Sequence, residues 1–198
     1  MKRVLFLHGW TNRRPEGHWM RLTAAHARAK GNHVWYPQFP NPDNPDPVEW
    51  QDLLRQESSM MDEVAGGEKI AVAHSLGTIN WLFGAQNDLF NQPFDRILLV
   101  AIPDPAITAT VDEMKRETLD FANPALKSGL ARWTNQVTAV ASDLDRWQPN
   151  GIAFYKNLEI KTEIIPGAGH FSLDDGWGRW TGLENWIDSG DSKDLLER

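Results

Sequence analysis

The sequence predicts an α/β fold in which one mostly parallel sheet of about six strands lies between two layers of helices. Short apolar, β-branched runs alternate with longer segments of helical period, which is typical of strands buried on both faces and joined by helices. The chain has 198 residues, 41% of them hydrophobic, enough for one domain with a sizeable core. We therefore expect a single three-layer α/β/α sandwich over residues 1–188 and a polar tail over 189–198 that frays.

The predicted elements follow in order along the chain. The strands are the apolar runs 3–7, 33–36, 70–74, 96–101, 137–141 and 161–165. The clearer helices are 17–30, 48–64, 75–85 and 177–187. The first helix stops at Gly31, a residue common just after helix ends. Strand–helix alternation predicts right-handed crossovers and places functional loops at the carboxyl ends of the strands.

Composition and charge exclude several classes of partner. A net charge of −7 without a basic block opposes binding to nucleic acid or to an anionic membrane. No run approaches the roughly 20 apolar residues that span a bilayer. The absence of cysteine excludes disulfides, thiolate zinc sites and a cysteine nucleophile, and it fits a cytoplasmic protein. We expect a small-molecule partner and no metal or cofactor, since His, Asp and Glu show no metal-site spacing.

The segment AVAHSLGTIN (71–80) places Ser75 between a predicted strand and a predicted helix. A nucleophile elbow requires this context, and its tight turn brings together the residues two before and two after the serine. Ala73 and Gly77 are small enough, although glycine is usual at both positions. Serine is also a favoured helix N-cap. The segment alone leaves a nucleophile and a capping residue both open.

Two later loops supply candidates for a base and an acid. A catalytic serine needs a base, and the base needs a group that orients it. Asp145 follows the fifth strand in ASDLDRWQP, and His170 follows the sixth in PGAGHFS. The order Ser75, Asp145, His170 is that of α/β-hydrolases. Asp143 and Asp104, which also follow strands, remain alternative acids.

Backbone amides are the expected oxyanion donors. The N–H of Leu76 begins the helix after the serine, and the N–H of Trp10 follows a turn at Gly9. We interpret His8 and His74 as scaffold rather than as bases, His8 by bonding loop backbone and His74 because its side chain points away from the serine.

Tryptophan and proline distributions suggest the walls of a site. Most of the ten tryptophans are expected to pack in the core. Trp10, Trp19 and Trp147 are the candidates for walls of a substrate pocket. The proline-rich stretch 37–47 must be a stiff loop, either a site wall or a connection to the next helix.

Six motifs together resemble one family. FLHGW, GHW, PNPDNPDPVEW, AHSLG, SDLDRWQP and GAGHF are similar to those of the small serine hydrolases that include the YdeN proteins and the retinoblastoma-binding serine hydrolase, over about residues 3–187. The resemblance implies a compact α/β-hydrolase fold and a triad of Ser75, Asp145 and His170. It also implies esterase-like activity, and a protein-binding role is attached to one branch of the family.

The stretch 102–136 lies where larger relatives insert a cap and has room for only one or two helices. We therefore expect no large cap and a shallow site. The predicted function is a carboxylesterase for small or medium acyl esters. An amidase or peptidase, an acyl transferase and a non-catalytic protein-binding module remain alternatives, and a protein partner is possible but not indicated.

Overall fold

The computed structural model describes residues 1–116 and 119–198, and within them six strands form one sheet. The strands are β1 (Arg3–Leu7), β2 (His33–Trp35), β3 (Lys69–His74), β4 (Arg96–Val100), β5 (Val137–Ala141) and β6 (Lys161–Ile164). Their order is β2-β1-β3-β4-β5-β6, and each neighbouring pair is parallel. The chain winds outward in both directions from β1 and β3. In such sheets the ligand crevice lies at that switch point, beyond the carboxyl ends of the strands.

The α-helices of the described residues cover both faces of the sheet. They are α1 (Trp19–Ala29), α2 (Pro47–Asp62), α3 (Leu76–Gln86), α4 (Pro105–Thr108), α5 (Pro124–Trp133) and α6 (Thr181–Ser189). The predicted bounds are close except for the last helix, which begins at Thr181 rather than 177. The reason is a turn before it, in which the Trp177 N–H donates to the carbonyl of Ser172.

Alternation along the strands divides the core into two layers. Val4 and Phe6 of β1 belong to a cluster with residues of α1 and α6, whereas Leu5 and Leu7 face a cluster with residues of α2, α3 and α5. Fully buried tryptophans occur in both layers; they are Trp19, Trp50, Trp81, Trp177, Trp180 and Trp186. The predicted three-layer α/β/α sandwich is confirmed.

The stretch 102–136 forms no large cap in its described part. It contains α4 and α5, and residues 117 and 118 lie outside the described residues. α5 packs closely against α3 because Gly129 has no side chain. A Cβ at this position would overlap the backbone of Ala85. Within the described ranges, no helix is long and apolar enough to cross a membrane.

The C-terminal tail packs against the domain, and the expectation that it frays is wrong. Ser192–Leu196 form a 3-10 helix in which Leu195 is completely buried. The Trp180 Nε1–H donates to the Leu195 carbonyl at 3.1 Å. One apolar side chain within a polar segment anchors the tail, because burial of that side chain offsets the cost of ordering its neighbours.

Candidate active site

Ser75 lies at the sharp turn between β3 and α3. Its φ of 54° and ψ of −128° fall in a region that non-glycine residues rarely adopt. Its N–H donates to the Val100 carbonyl on the neighbouring strand, which fixes the turn. Although Ser75 occupies the N-cap position, its side chain makes no capping hydrogen bond. The strained backbone therefore serves to project the hydroxyl, not to cap the helix.

Two glycines allow the backbone to approach this turn closely. A Cβ at Gly77 would overlap the carbonyl oxygens of Leu7 and His8 at the end of β1. A Cβ at Gly9 would lie 2.6 Å from the Ser75 Cβ and 3.1 Å from its Oγ. Since real Cβ atoms do not approach so closely, both positions require glycine. Ala73 is fully buried, so its methyl group is accommodated.

Ser75, His170 and Asp145 form one chain of hydrogen bonds. The Nδ1 atom of His170 lies 2.9 Å from each carboxylate oxygen of Asp145, and its Nε2 atom lies 2.9 Å from the Ser75 Oγ. A carboxylate can only accept, so the Nδ1–H donates to Asp145 and Nε2 accepts the Ser75 hydroxyl proton. All three residues are buried. This is the geometry in which an imidazole removes a proton from a serine.

The loop that carries His170 is held by three further side chains. The His74 Nε2 atom lies 2.9 Å from the His170 carbonyl oxygen. Asp175 accepts from the His170 N–H at 2.9 Å and from both the N–H and the hydroxyl of Ser172. Asp143 accepts from the Gly167 N–H at 2.7 Å. These contacts hold the backbone of the loop from which the imidazole extends.

The surroundings of His74 and Asp175 shift the pKa values of both side chains. Burial lowers the pKa of His74 well below its ordinary value, and the neighbouring His170 acts in the same direction. Burial acts to raise the pKa of Asp175, but hydrogen bonds from Ser172 and from the His170 N–H outweigh it and the pKa falls below its usual value. His74 is therefore a neutral support, and Asp175 is a charged one.

The two alternative acids have other partners. Asp143 holds the Gly167 N–H, as described above, and Asp104 accepts from the Ala106 N–H at the start of α4. Asp145 alone among the three contacts the imidazole, and it also accepts from the Trp147 N–H at 2.8 Å. The structure thus brings the predicted Ser75, Asp145 and His170 together and places Asp104 and Asp143 elsewhere.

The loop after β1 lies beside Ser75 and is braced by His8. The His8 Nδ1–H donates to the Gly9 carbonyl at 2.9 Å, and Nε2 accepts from the Phe39 N–H at 2.9 Å. Burial lowers the pKa of His8 to about 4, so the ring is neutral. The expectation that His8 bonds loop backbone agrees with these contacts. Leu76 begins α3, so its N–H has no acceptor within the helix.

A cleft of about 350 Å³ opens above Ser75 and His170. Trp10 and Trp147 line it. Trp19 does not, and its interpretation as a wall is wrong, because its ring is completely buried and its Nε1–H donates to the Phe171 carbonyl at 2.8 Å. Sequence reasoning also missed several lining residues; they are His18, Arg13, Met114, Arg146, Ser172, Leu173 and Asp174.

The proline-rich loop 37–47 lies behind the wall of this cleft. The Trp10 Nε1–H donates to the Asp43 carbonyl at 2.9 Å, and the Thr11 N–H donates to Pro42 at 2.8 Å. Arg13 makes two hydrogen bonds to the Asp43 carboxylate. The loop therefore holds the β1 loop in place without lining the cleft itself. Among the described residues no cluster of His, Asp and Glu could hold a metal ion.

Comparison with known proteins identifies the family of this chain. The profile of the serine hydrolase family matches residues 4–189. The YdeN protein of B. subtilis superposes with a TM-score of 0.76 at 20% identity, over 96% of this chain and 98% of that one. A putative YdeN-like hydrolase from Pectobacterium atrosepticum has a TM-score of 0.68 at 17% identity, over 100% and 94%.

Est1E from Butyrivibrio proteoclasticus superposes with a TM-score of 0.65 at 14% identity, over 94% of this chain and 86% of that one. No curated protein matches the chain by sequence. The structural neighbours share the α/β-hydrolase fold, so the predicted fold class is confirmed. With the family profile covering nearly the whole chain, this protein belongs to the serine hydrolase family.

Proposed function

We propose that this protein is a carboxylesterase that cleaves small or medium acyl esters through an acyl-enzyme on Ser75. The observation that carries the proposal is the hydrogen-bonded chain from the Ser75 hydroxyl through His170 to Asp145, at a strained turn beside a cleft. Such a chain makes a neutral hydroxyl nucleophilic without any added cofactor.

The first half of the reaction transfers the acyl group to the enzyme. The Ser75 Oγ attacks the ester carbonyl while its proton passes to the His170 Nε2, and the carbonyl oxygen becomes an oxyanion. Asp145 stabilises the resulting imidazolium and keeps the ring oriented. The tetrahedral intermediate then expels the alcohol, which takes the proton from His170. An acyl-enzyme remains on Ser75.

The second half releases the acid. His170 removes a proton from water, the resulting oxygen nucleophile attacks the acyl carbonyl, and collapse of the intermediate returns the proton to Ser75. We assign oxyanion binding to the N–H groups of Leu76 and Trp10. The support is that Leu76 starts α3, and that Gly9 brings the backbone before Trp10 against the Ser75 side chain.

Labelling with a fluorophosphonate probe tests the proposal. We expect the wild-type protein to be labelled and Ser75→Ala to remain unlabelled. Ser128→Ala is the matched control, since Ser128 is exposed on α5, and it should label like the wild type. Ester hydrolysis by Ser75→Ala should fall by about 10⁴-fold or more. Absence of label on the wild-type protein would favour a non-catalytic binding module and overturn the assignment.

The size of the cleft supports the substrate range. A volume of about 350 Å³ is at the small end of ligand pockets. A panel of p-nitrophenyl esters of increasing acyl length should therefore show the highest kcat/KM for short or medium chains. A preference for long chains would contradict this range. Parallel assays with amides and with an added alcohol acceptor distinguish an esterase from an amidase or an acyl transferase, which would use the same residues.

A further inference from the structure

A second cleft, of about 340 Å³, is lined by Arg13, Arg14, Arg21, Arg28 and Tyr36. We call it the arginine cleft. No carboxylate lines it in the described part of the chain, although acidic residues outnumber basic ones in the sequence by 27 to 20. Four guanidinium groups around one concave surface form a local region of positive potential on an otherwise acidic protein.

Two of these charges are held in place without a balancing carboxylate. Arg14 donates to the Tyr36 carbonyl at 2.8 Å and to Gln38 at 3.2 Å, and Arg28 donates to the Val34 carbonyl at 3.4 Å. Neither arginine forms an ion pair with a described residue. Backbone carbonyls orient the guanidinium groups but neutralise no charge, so the cations remain available to an anion.

The other two arginines each have a carboxylate partner. Arg21 lies 3.6 Å from Glu16, whose side chain is 91% exposed, and such an exposed pair contributes little. Arg13 pairs with Asp43 on the proline-rich loop.

The wall of the arginine cleft also contains a polar group without a partner. The Tyr36 hydroxyl is buried and makes no hydrogen bond to any described residue, and the whole residue is only 9% exposed. The Arg14 guanidinium lies 5.7 Å from the centre of the Tyr36 ring. Guanidinium groups only donate hydrogen bonds. A ligand that fits this surface must therefore supply several acceptor oxygens and negative charge, which is the chemistry of a phosphate group.

The arginine cleft adjoins the cleft above Ser75. Arg13 lines both, and Arg13 and Arg14 belong to the same loop after β1 as Trp10. An extended ligand that reached both clefts would pass Arg13. Within the first cleft, Met114 and Trp147 provide apolar surface that suits an acyl chain. The acyl chain is therefore assigned to this apolar surface, and a charged group to the leaving-group side.

We propose that the arginine cleft binds a phosphate carried by the alcohol half of the substrate, so that the preferred esters have a phosphorylated leaving group. This inference rests on the proposed esterase function and names its substrate class. The reaction itself is unchanged: the acyl group passes to Ser75, the phosphorylated alcohol leaves with the proton from His170, and water releases the acid.

The test uses a series of ω-acetoxyalkyl phosphates with spacers of increasing length. Each is compared with the ω-methoxyalkyl acetate that has the same spacer, in which a methoxy group replaces the phosphate. We expect kcat/KM to favour the phosphate at one spacer length, where the phosphate reaches the arginine cleft. In Arg21→Gln/Arg28→Gln that preference should fall at least about tenfold, since the loss of even one charged hydrogen bond has that effect. Similar rates for phosphate and ether at every spacer length would overturn the inference.

A matched control removes two charges elsewhere. Arg55 and Arg132 are partly exposed on α2 and α5, in the opposite helix layer, and each pairs with a nearby aspartate. Arg55→Gln/Arg132→Gln makes the same change in net charge and should keep the preference for phosphate. Equal losses in the two double variants would indicate a general charge effect and overturn the proposed site.

A binding measurement separates failure of this inference from failure of the esterase proposal. Inorganic pyrophosphate should raise the Tm of Ser75→Ala, because a ligand of the folded state stabilises it, and should not raise the Tm of the arginine-cleft double variant in that background. If the methoxyalkyl acetates are hydrolysed but pyrophosphate does not bind, the esterase proposal stands and the arginine cleft is not a phosphate site. Pyrophosphate binding without hydrolysis of any ester overturns the esterase and, with it, the leaving-group assignment.

Discussion

At the scale of single residues, the site depends on how close the end of β1 comes to Ser75. The distance of 2.6 Å from a Cβ at Gly9 to the Ser75 Cβ leaves no room for a side chain. Ser75 cannot yield easily, because its own backbone is already in a strained conformation fixed by the Val100 carbonyl. A methyl group at position 9 must therefore displace either the hydroxyl or the loop that carries the proposed oxyanion donor.

The first prediction concerns Gly9→Ala. We expect kcat/KM to fall by about 10²-fold or more, because displacement of a catalytic group by about 1 Å has that effect. Gly178→Ala is the matched control, since a Cβ there would meet its nearest neighbour, the Gly17 carbonyl, at 3.9 Å. Ester hydrolysis and Tm should be measured for both. Full activity in Gly9→Ala would contradict the close approach.

The second prediction concerns Asp175, which we infer to position the His170 loop. Asp175→Ala removes the acceptor of the His170 N–H and of the Ser172 N–H and hydroxyl, whereas Asp175→Asn keeps an oxygen in place. We expect the alanine variant to lose about tenfold in kcat with little change in KM, because a misplaced base affects the chemical step rather than binding. The asparagine variant should recover most of that loss. Equal kcat values for wild type and Asp175→Ala would exclude a positioning role.

At the scale of elements, the short C-terminal 3-10 helix belongs to the folded domain. Leu195 is completely buried beside Trp180, while the adjacent Leu196 is 50% exposed. Gly182 at the start of α6 leaves space for this segment, since a Cβ there would overlap the Asp194 carbonyl. The tail therefore packs through a close backbone contact and one apolar anchor.

The third prediction compares these two leucines. Leu195→Ala should lower the free energy of unfolding by about 2–5 kcal/mol, the cost of a large-to-small change in a core. Leu196→Ala should stay within about 0.5 kcal/mol of wild type, as surface changes usually do. Urea unfolding followed by tryptophan fluorescence measures both. Similar stabilities of the two variants would mean that the tail does not pack in solution.

At the scale of the whole molecule, the buried histidines His8, His18 and His74 are held neutral inside the fold. Burial lowers the pKa of His8 and of His18 to about 4, and it lowers that of His74 well below the ordinary value. In the unfolded chain a histidine takes up its proton near pH 6.5. Between about pH 6.5 and 4 the unfolded state therefore binds more protons than the folded state, and stability falls as the pH falls.

The fourth prediction follows from that sign. The free energy of unfolding should decrease from pH 7 to pH 5, with each buried histidine contributing at most about 1.4 kcal/mol per pH unit. His18→Asn should reduce this slope, because asparagine can still accept at the start of α1 but does not titrate. Ser128→Ala, an exposed substitution that removes no titratable group, should leave the slope unchanged. Identical slopes for wild type and His18→Asn would contradict the prediction.

The sequence by itself determined the sheet, its helices and those residues whose role follows from their immediate neighbours in the chain. Short apolar runs identify the strands because the side chains of a buried strand face both helix layers. The tight turn around Ser75 is visible in five consecutive residues. The positions of Asp145 and His170 after their strands are also local features, although their contact is not.

The tertiary structure alone decided which distant residues meet. In the structure Asp145, rather than Asp143, contacts the His170 imidazole. Trp19 is buried whereas Trp147 lines the cleft, and Leu195 of the polar tail is buried. The arginine cleft likewise joins residues of α1 to the loops around β1 and β2. These outcomes depend on strand register and helix packing, which set distances between loops far apart in the chain, and no local periodicity encodes those distances.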